Sequence, residues 1–571
     1  MSNEEPKLTA VEGIKQESRF LRGTIAEEIA GQTECFNSDN IQLLKFHGSY
    51  QQDDRDLRTE RKKAGLGKAY SMMLRLRIPG GRCRADQFLA MLDVCEELGN
   101  STIKVTTRQT IQLHGIVKDN LRPTIKRVNE LALSTLAACG DVNRNIMCCP
   151  AKRVDPIHQE LERLTDELTE AMAPKTAAYH ELWVSEPGSQ EKELVGGGAE
   201  SEPLYGSTYL PRKFKMGIAL PEDNCIDIYT QDLGLLAVVR DGQIIGYNVL
   251  VGGGMGTTPA KKVTYPALGK RMAFVTPDQV VGVCQAVLKV QRDNGNRSDR
   301  KTARMKYLVD RWGIKKFREE VESYFGDALQ DCEPDDVTGV DDHMGWQEQG
   351  DGKWSYGLNV ENGRLYDDEK IQFKAAIRAI CNEFDTEIRM TGHQSLIFTD
   401  IDESKKERLI ELITQHGIPT TEQTSVVRRW SMACVALPTC GLAITESERR
   451  LPGLIDGLEQ PLAKLGLDRE RFTIRMTGCP NGCARPYNAD IALVGKAKDR
   501  YTLFLGGGWL GNRLAYIYKD LVPDSQVVEE ITRVFAAYKA NRIESESIGD
   551  FCSRIGKDAL LLMTEEVEGS C

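Results

Sequence analysis

"STIKVTTRQTIQLHGI", residues 101–116, returns 285 residues later as "TEIRMTGHQSLIFTDI", residues 386–401, with Ile103 over Ile388, Thr106 over Thr391 and Gln109 over Gln394. The first copy alternates as a strand does. Lys104, Thr106, Arg108, Thr110, Gln112 and His114 fall on one face, and Ile103, Val105, Ile111 and Leu113 on the other. Upstream, "LRLRIPGGR" ending at Arg82 lies opposite "GLNVENGR" ending at Arg364; downstream, "YNVLVGGGMG" (247–256) is matched by "YTLFLGGGWLG" (501–511). The chain therefore reads as an internal duplication. It predicts an α/β (α+β) fold of two related halves about a pseudo-twofold axis, each a smaller sheet-and-helix unit followed by a larger one. Such an axis favours one shared central site.

A chain of 571 residues exceeds what one hydrophobic core organises, so about three domains are expected. The formal net charge of -10 argues against a nucleic-acid partner. Sixteen cysteines are too dilute for a disulfide scaffold, and "MSNEEPKLTAVEG" has no basic region leading into an apolar run, so a reducing, cytoplasmic setting is expected. No stretch reaches the length of apolar sequence that a membrane span needs. "VGGGMG" and "LGGGWLG" lack the full dinucleotide fingerprint and read as tight turns.

Near the C-terminus, Cys434 and Cys440 in "SMACVALPTCG" precede Cys479 and Cys483 in "TGCPNGCARP", giving C-x5-C, thirty-eight residues, then C-x3-C. Zinc sites generally pair ligands at closer spacing, whereas an iron–sulfur core accepts looser spacing because it is larger than one ion. Gly478, Pro480 and Gly482 leave backbone amides exposed to bond cluster sulfurs. A [4Fe-4S] cluster is favoured, with zinc as the alternative.

At these cysteines the chain resembles the assimilatory sulfite and nitrite reductases that carry sirohaem and a [4Fe-4S] cluster. The resemblance runs through "ESRFLRGTIAEE", "KFHGSYQQDDRD", "LRLRIPGG", "TTRQTIQLHG", "NRNIMC", "YLPRKFK" and "VGGGMG". Residues 1–65, polar and charged with "YQQDDRDLRTERKK" at 50–63, read as an extended N-terminal arm; the resemblance implies a ferredoxin-like half-domain (66–140), a sirohaem and substrate domain (141–340), a second half-domain (341–420) and a cluster domain (421–571). By resemblance, Cys434, Cys440, Cys479 and Cys483 hold the cluster, and the Cys483 thiolate also ligates the sirohaem iron. Arg108, Gln112, Asn143 and Asn145 match positions that line the sirohaem; Lys104 stands where relatives carry Arg.

Burying a tetrapyrrole with eight carboxylates calls for such cationic and amide groups. The oxyanion substrate calls for more cations, and Arg77, Arg144, Lys213 and Lys215 fit that role. On a strand Lys213 and Lys215 would share one side, and Arg75 would accompany Arg77. Sulfite reductases read "RKFK" as this chain does, while nitrite reductases usually place Asn at the last position, so Lys215 points to sulfite and to its six-electron reduction for cysteine biosynthesis. Nothing here binds NADPH or flavin. The expected donor is an NADPH flavoprotein subunit carrying FAD and FMN, with ferredoxin as the alternative. The rival functions are a ferredoxin-dependent nitrite reductase and a zinc-bearing scaffold protein.

Overall fold

A computed structural model describes residues 7–175, 182–185, 191, 193–196, 202–259 and 261–568. Two five-stranded sheets carry the smaller units. The first runs β1 (Ser49–Asp53), β2 (Tyr70–Arg75), β5 (Ile111–Ile116), β4 (Ile103–Val105), β14 (Arg364–Leu365), and the second β12 (Gly345–Glu348), β13 (Lys353–Leu358), β16 (Leu396–Asp402), β15 (Glu387–Met390), β3 (Arg82–Arg84). The halves exchange a strand. β3 of the first repeat pairs with β15 of the second, and β14 of the second with β4 of the first. A single apolar core therefore joins Ile103, Val105, Ile111 and Leu113 to Ile388, Met390, Leu396 and Phe398.

Each larger unit has its own sheet and core. In the first, β11 (Lys270–Val275), β10 (Gln243–Val251), β9 (Leu233–Arg240) and β8 (Met216–Ala219) are neighbours in that order; in the second the order is β17 (Ser431–Ala433), β18 (Ile474–Thr477), β19 (Ile491–Ala497), β20 (Arg500–Leu505), β21 (Tyr516–Pro523). A separate hairpin joins β6 (Leu182–Val184) and β7 (Glu193–Gly196). The repeat is visible in register: β8 pairs with β9 in parallel, Met216 beside Leu233, and β18 with β19 in parallel, Ile474 beside Ile491.

Three expectations are corrected. The alternating segment 101–116 is not one strand but a hairpin, β4 and β5, closed by Thr106 N–H to Thr110 O at 2.9 Å with Gln109 at φ 51°. Its repeat is built identically, with Thr391 N–H to Ser395 O at 2.9 Å and Gln394 at φ 69°. Second, residues 7–65 are not an extended arm. They form the short helices Ala10–Glu17, Ile25–Ala30 and Ser38–Leu44, bury Leu21, Phe36, Leu43 and Phe46, supply β1 at the edge of the first sheet and continue into helix Arg58–Lys63. Third, "YLPRKFK" lies outside any strand. It follows residues 142–147 through Phe214 N–H to Val142 O at 3.1 Å and Arg144 N–H to Phe214 O at 3.0 Å.

The pseudo-twofold axis is marked by a buried ion pair. Asp227 (φ 53°) and Arg485 (φ 51°) occupy equivalent positions in the two larger units, eight residues beyond the ends of β8 and β18, and the Arg485 Nε donates to Asp227 Oδ2. Arg475 Nη1 joins at 2.8 Å. Arg485 also clasps both hairpin tips, donating to Thr107 O at 2.7 Å and to the equivalent Gly392 O at 2.9 Å. Burial would raise the Asp227 carboxyl pKa, but the two guanidiniums overcome it and hold it down to about 2. This contribution to stability is complete above the ordinary aspartate range and is lost as pH falls towards about 2. Asp227→Asn is expected to cost about 3–5 kcal/mol, because two guanidiniums lose their buried counter-charge; a denaturant midpoint matching the wild type at neutral pH would refute this.

Candidate functional site

The four cysteines of the C-terminal motif converge. Cys434 follows β17 and its thiol accepts Gly478 N–H at 3.4 Å; the Cys479 thiol accepts the Asn481 side-chain amide at 3.4 Å. Burial first, then the neighbouring thiols, push the Cys434, Cys440 and Cys479 pKa values up, and Cys483 is among those neighbours in all three. Crowded thiols sharing backbone and amide donors are what a cluster of metal ions needs. Among the described residues, the group whose ligand atoms all lie within 4.8 Å of one another is a different one, treated below. The wider spread of these four cysteines suits a [4Fe-4S] core better than a single ion.

Glycines bring the surrounding loops together. A Cβ on Gly478 would meet Thr445 O at 2.5 Å, and one on Gly482 (φ 63°) would meet Met255 Cβ at 3.1 Å. The segment "VGGGMG" packs here, with Thr257 N–H donating to Pro480 O at 2.9 Å. Its glycines serve close backbone approach, since a Cβ on Gly253 would meet both Gln231 O and Tyr229 O at 2.3 Å.

Cys483 is the exposed member of the four, and it opens on a cleft of cations. Lys213 and Lys215 are half-buried and make no ion pair among the described residues. Both lie within electrostatic reach of Cys483. Burial pushes the Lys213 pKa well down, and Arg212, Arg144 and Arg304 push it further; for Lys215 burial is followed by Arg108, Lys213 and Arg304. The Arg144 Nε and both side-chain amide atoms of Asn143 are buried without a hydrogen-bond partner. Two lysines without an ion pair, beside a buried guanidinium nitrogen and a buried amide that lack partners, fit a polyanionic cofactor and an oxyanion.

The other expected residues are placed as follows. Arg77 is turned from this cleft: its Nη2 donates to Thr169 O at 2.6 Å, in the last turn of helix Pro156–Ala171, and it faces Tyr205. Arg75 lies beside Gln112 and on the side of Arg144 instead. It is the cross-strand neighbour of Gln112, donates to the Cys139 thiol at 3.2 Å, and shares Tyr50 with Arg144. Strand β2 ends at Arg75, so the two-residue rule does not carry over to Arg77.

Lys104 does hold a carboxylate, but one of the chain's own. Its Nζ lies 2.7 Å from Glu448 Oε2, and Arg364 Nε lies 2.6 Å from Glu448 Oε1. The equivalent Arg389 and Arg82 hold Glu162 in the other half, at 2.6 and 3.4 Å. Arg108 stands at the first hairpin tip and is tied to the larger unit: it donates to Asn145 O at 2.9 Å, Met216 O at 3.1 Å and the Gln231 side chain. Asn145 pins the same corner through Ile78 N–H at 2.9 Å and Arg108 O at 3.0 Å. Sequence reasoning missed Asp232, whose Oδ2 accepts Lys215 N–H at 3.0 Å and which Arg304 grips at 2.9 and 2.7 Å.

Comparison with known proteins agrees with this arrangement. Residues 139–329 and 429–569 match the nitrite and sulphite reductase 4Fe-4S domain, and residues 66–131 and 347–416 match the nitrite/sulfite reductase ferredoxin-like half domain. The chain is 47% identical over 558 residues to the sulfite reductase [NADPH] hemoprotein beta-component of Staphylococcus haemolyticus, covering 97% of this chain and 96% of that protein. It is 44% identical over 549 residues to the protein of that name from Bacillus subtilis, covering 96% and 95%. The solved structure of Mycobacterium tuberculosis NirA matches with a TM-score of 0.77 at 26% identity, over 97% of this chain and 98% of that one. With two half-domains that exchange strands, and four cysteines opening on a cleft of unpaired cations, the chain belongs to the nitrite and sulphite reductase family.

Proposed function

We propose that this chain is a sulfite reductase haemoprotein, reducing sulfite to sulfide with electrons from an NADPH flavoprotein partner. The observation that carries the reading is the shared cleft of Cys483, Lys213 and Lys215, where a cysteine at the edge of the cluster site faces cations with no counter-charge. Cys434, Cys440, Cys479 and Cys483 would hold the [4Fe-4S] cluster, and Cys483 also the sirohaem iron. Bound together, the two groups supply one-electron steps to the substrate's sulfur.

The chain's own residues do the rest. Lys213, Lys215, Arg144 and Arg75 gather and orient the dianion. A lysine whose pKa is lowered by burial and like charge gives up a proton readily, so Lys213 and Lys215 supply protons as substrate oxygens leave as water. Asp232 and Arg304 fix the backbone from which Lys215 projects. Asn143 and Gln112 offer amides to the cofactor's carboxylates. The relatives' NADPH component names support the flavoprotein donor over ferredoxin. No described helix is long and apolar enough to cross a membrane.

The test compares sulfite with nitrite, each with NADPH plus flavoprotein and with reduced ferredoxin, on enzyme made with ample sirohaem and iron. Sulfite with the flavoprotein is expected to give the highest turnover. A preference for nitrite overturns the substrate, equal or faster turnover with ferredoxin overturns the donor, and a colourless, iron-free protein overturns both.

A further inference from the structure

The repeat that places Cys434 and Cys483 has a counterpart in the first larger unit. Met147 bridges Gly217 in parallel as Met432 lies beside Arg475. The Gln109 side chain bonds the backbone of Cys148, and the equivalent Gln394 accepts from Ala433 N–H. One residue on in each copy come Cys149 and Cys434. The parallel pairs of β8 with β9 and β18 with β19 likewise put Cys225 at the place of Cys483. Two of the four cluster thiols therefore recur across the pseudo-twofold axis. Pro221 stands where Cys479 does, so a second cluster of the same kind is not built.

Two other ligands stand there instead. The Sγ atoms of Cys149 and Cys225, an Asp223 carboxylate oxygen and a His343 ring nitrogen all lie within 4.8 Å of one another. The four residues are 6%, 1%, 7% and 3% exposed, respectively. His343 Nε2 is 3.0 Å from Asp223 Oδ2 and 3.9 Å from Cys149 Sγ. Tetrahedral zinc with bonds of about 2.0–2.3 Å separates neighbouring ligand atoms by about 3.3–3.8 Å, the range these contacts straddle. We propose that Cys149, Cys225, His343 and Asp223 bind a single structural zinc ion at the place the repeat makes equivalent to the iron–sulfur site.

A plain carboxylate–imidazole pair beside two thiols is the simpler alternative, and two features count against it. Asp223 Oδ2 is buried and, although 3.0 Å from the ring nitrogen, makes no aligned hydrogen bond, while the same ring nitrogen is 3.9 Å from the Cys149 thiol. The other carboxylate oxygen, Oδ1, is fixed by the N–H groups of Cys225 and Asp341, each at 3.1 Å. That leaves Oδ2 as a single oriented ligand, the arrangement outer-shell bonds give in metal sites. On the far side of Cys149, Asp155 holds His158 Nδ1 at 2.9 Å, and His158 faces the thiol. The four ligands come from three separated segments, so the ion would tie the turn after β8 and the chain entering β12 to the loop after Asn145. The site is closed, and its role is structural.

Holoenzyme purified without chelator is expected to carry one equivalent of zinc per chain in addition to its iron. Its zinc absorption edge should show two sulfur neighbours at about 2.3 Å and two nitrogen or oxygen neighbours at about 2.0–2.2 Å. Cys225→Ser with His343→Ala should lower zinc affinity by more than about 100-fold, beyond the roughly 10–100-fold that outer-shell changes cost, while sirohaem absorbance persists. If that variant fails to fold, the wild-type edge spectrum decides alone. Iron-replete protein that takes up no zinc, zinc with only nitrogen and oxygen neighbours, zinc retained in the folded double variant, or a Cys149–Cys225 disulfide in the native protein would each overturn the site.

Discussion

Cys483→Ser is expected to change two spectra and abolish turnover. Of the four motif cysteines it alone is exposed, facing Lys213 and Lys215, while its carbonyl is fixed by the Thr107 hydroxyl at 3.0 Å on the first hairpin tip. The serine keeps the backbone in place and removes the soft thiolate. Losing an outer-shell partner costs 10–100-fold in a metal site; losing a ligand shared by two cofactors should cost more than about 1000-fold in sulfite turnover. Sirohaem absorbance and the cluster's paramagnetic signal should both shift. Serine at Cys434, Cys440 or Cys479 should instead lower iron content and the cluster signal first, since those thiols turn inward to Gly478, Asn481 and one another. An unchanged sirohaem spectrum in Cys483→Ser would place the axial ligand elsewhere, and full iron in all three others would move the cluster.

The duplication was legible because it preserves residue types at fixed spacing, and that was enough to predict two halves about one axis. The hairpin turn inside the repeat was not. Val105 and Ile111 are six residues apart, so the apolar alternation stays in phase straight through the turn, and the left-handed position is taken by Gln109 rather than glycine. The polar face survives in altered form, since Lys104 and Gln112 become cross-strand neighbours. Lys104 misled for another reason: its partner Glu448 lies 344 residues away, and no local pattern announces it. Cys149 and Cys225 were hidden because one repeat was recognised by its hairpins and the correspondence of the cysteines appears only when strand registers are compared.

Lys215→Asn is expected to lower sulfite turnover on the order of 30- to 1000-fold, the equivalent of about 2–4 kcal/mol for one charge-assisted contact in a desolvated site. The substitution is local in its effect. Lys215 N–H is held by Asp232 and its carbonyl by Leu233 N–H at 3.1 Å, so asparagine leaves the backbone and the Arg304–Asp232 pair intact. What goes is one cation from a cleft in which Lys213, Arg108 and Arg144 already repel each other. A doubly charged substrate gains most from that crowding, and the gain scales with the product of charges. Nitrite, with one charge, should lose less, so its turnover relative to sulfite rises even if both fall. The relative rates of the two anions separate this from simple damage, which would depress both alike. Wild-type sulfite turnover in Lys215→Asn with both cofactors loaded would remove Lys215 from the anion site and leave the choice of sulfite over nitrite without its residue.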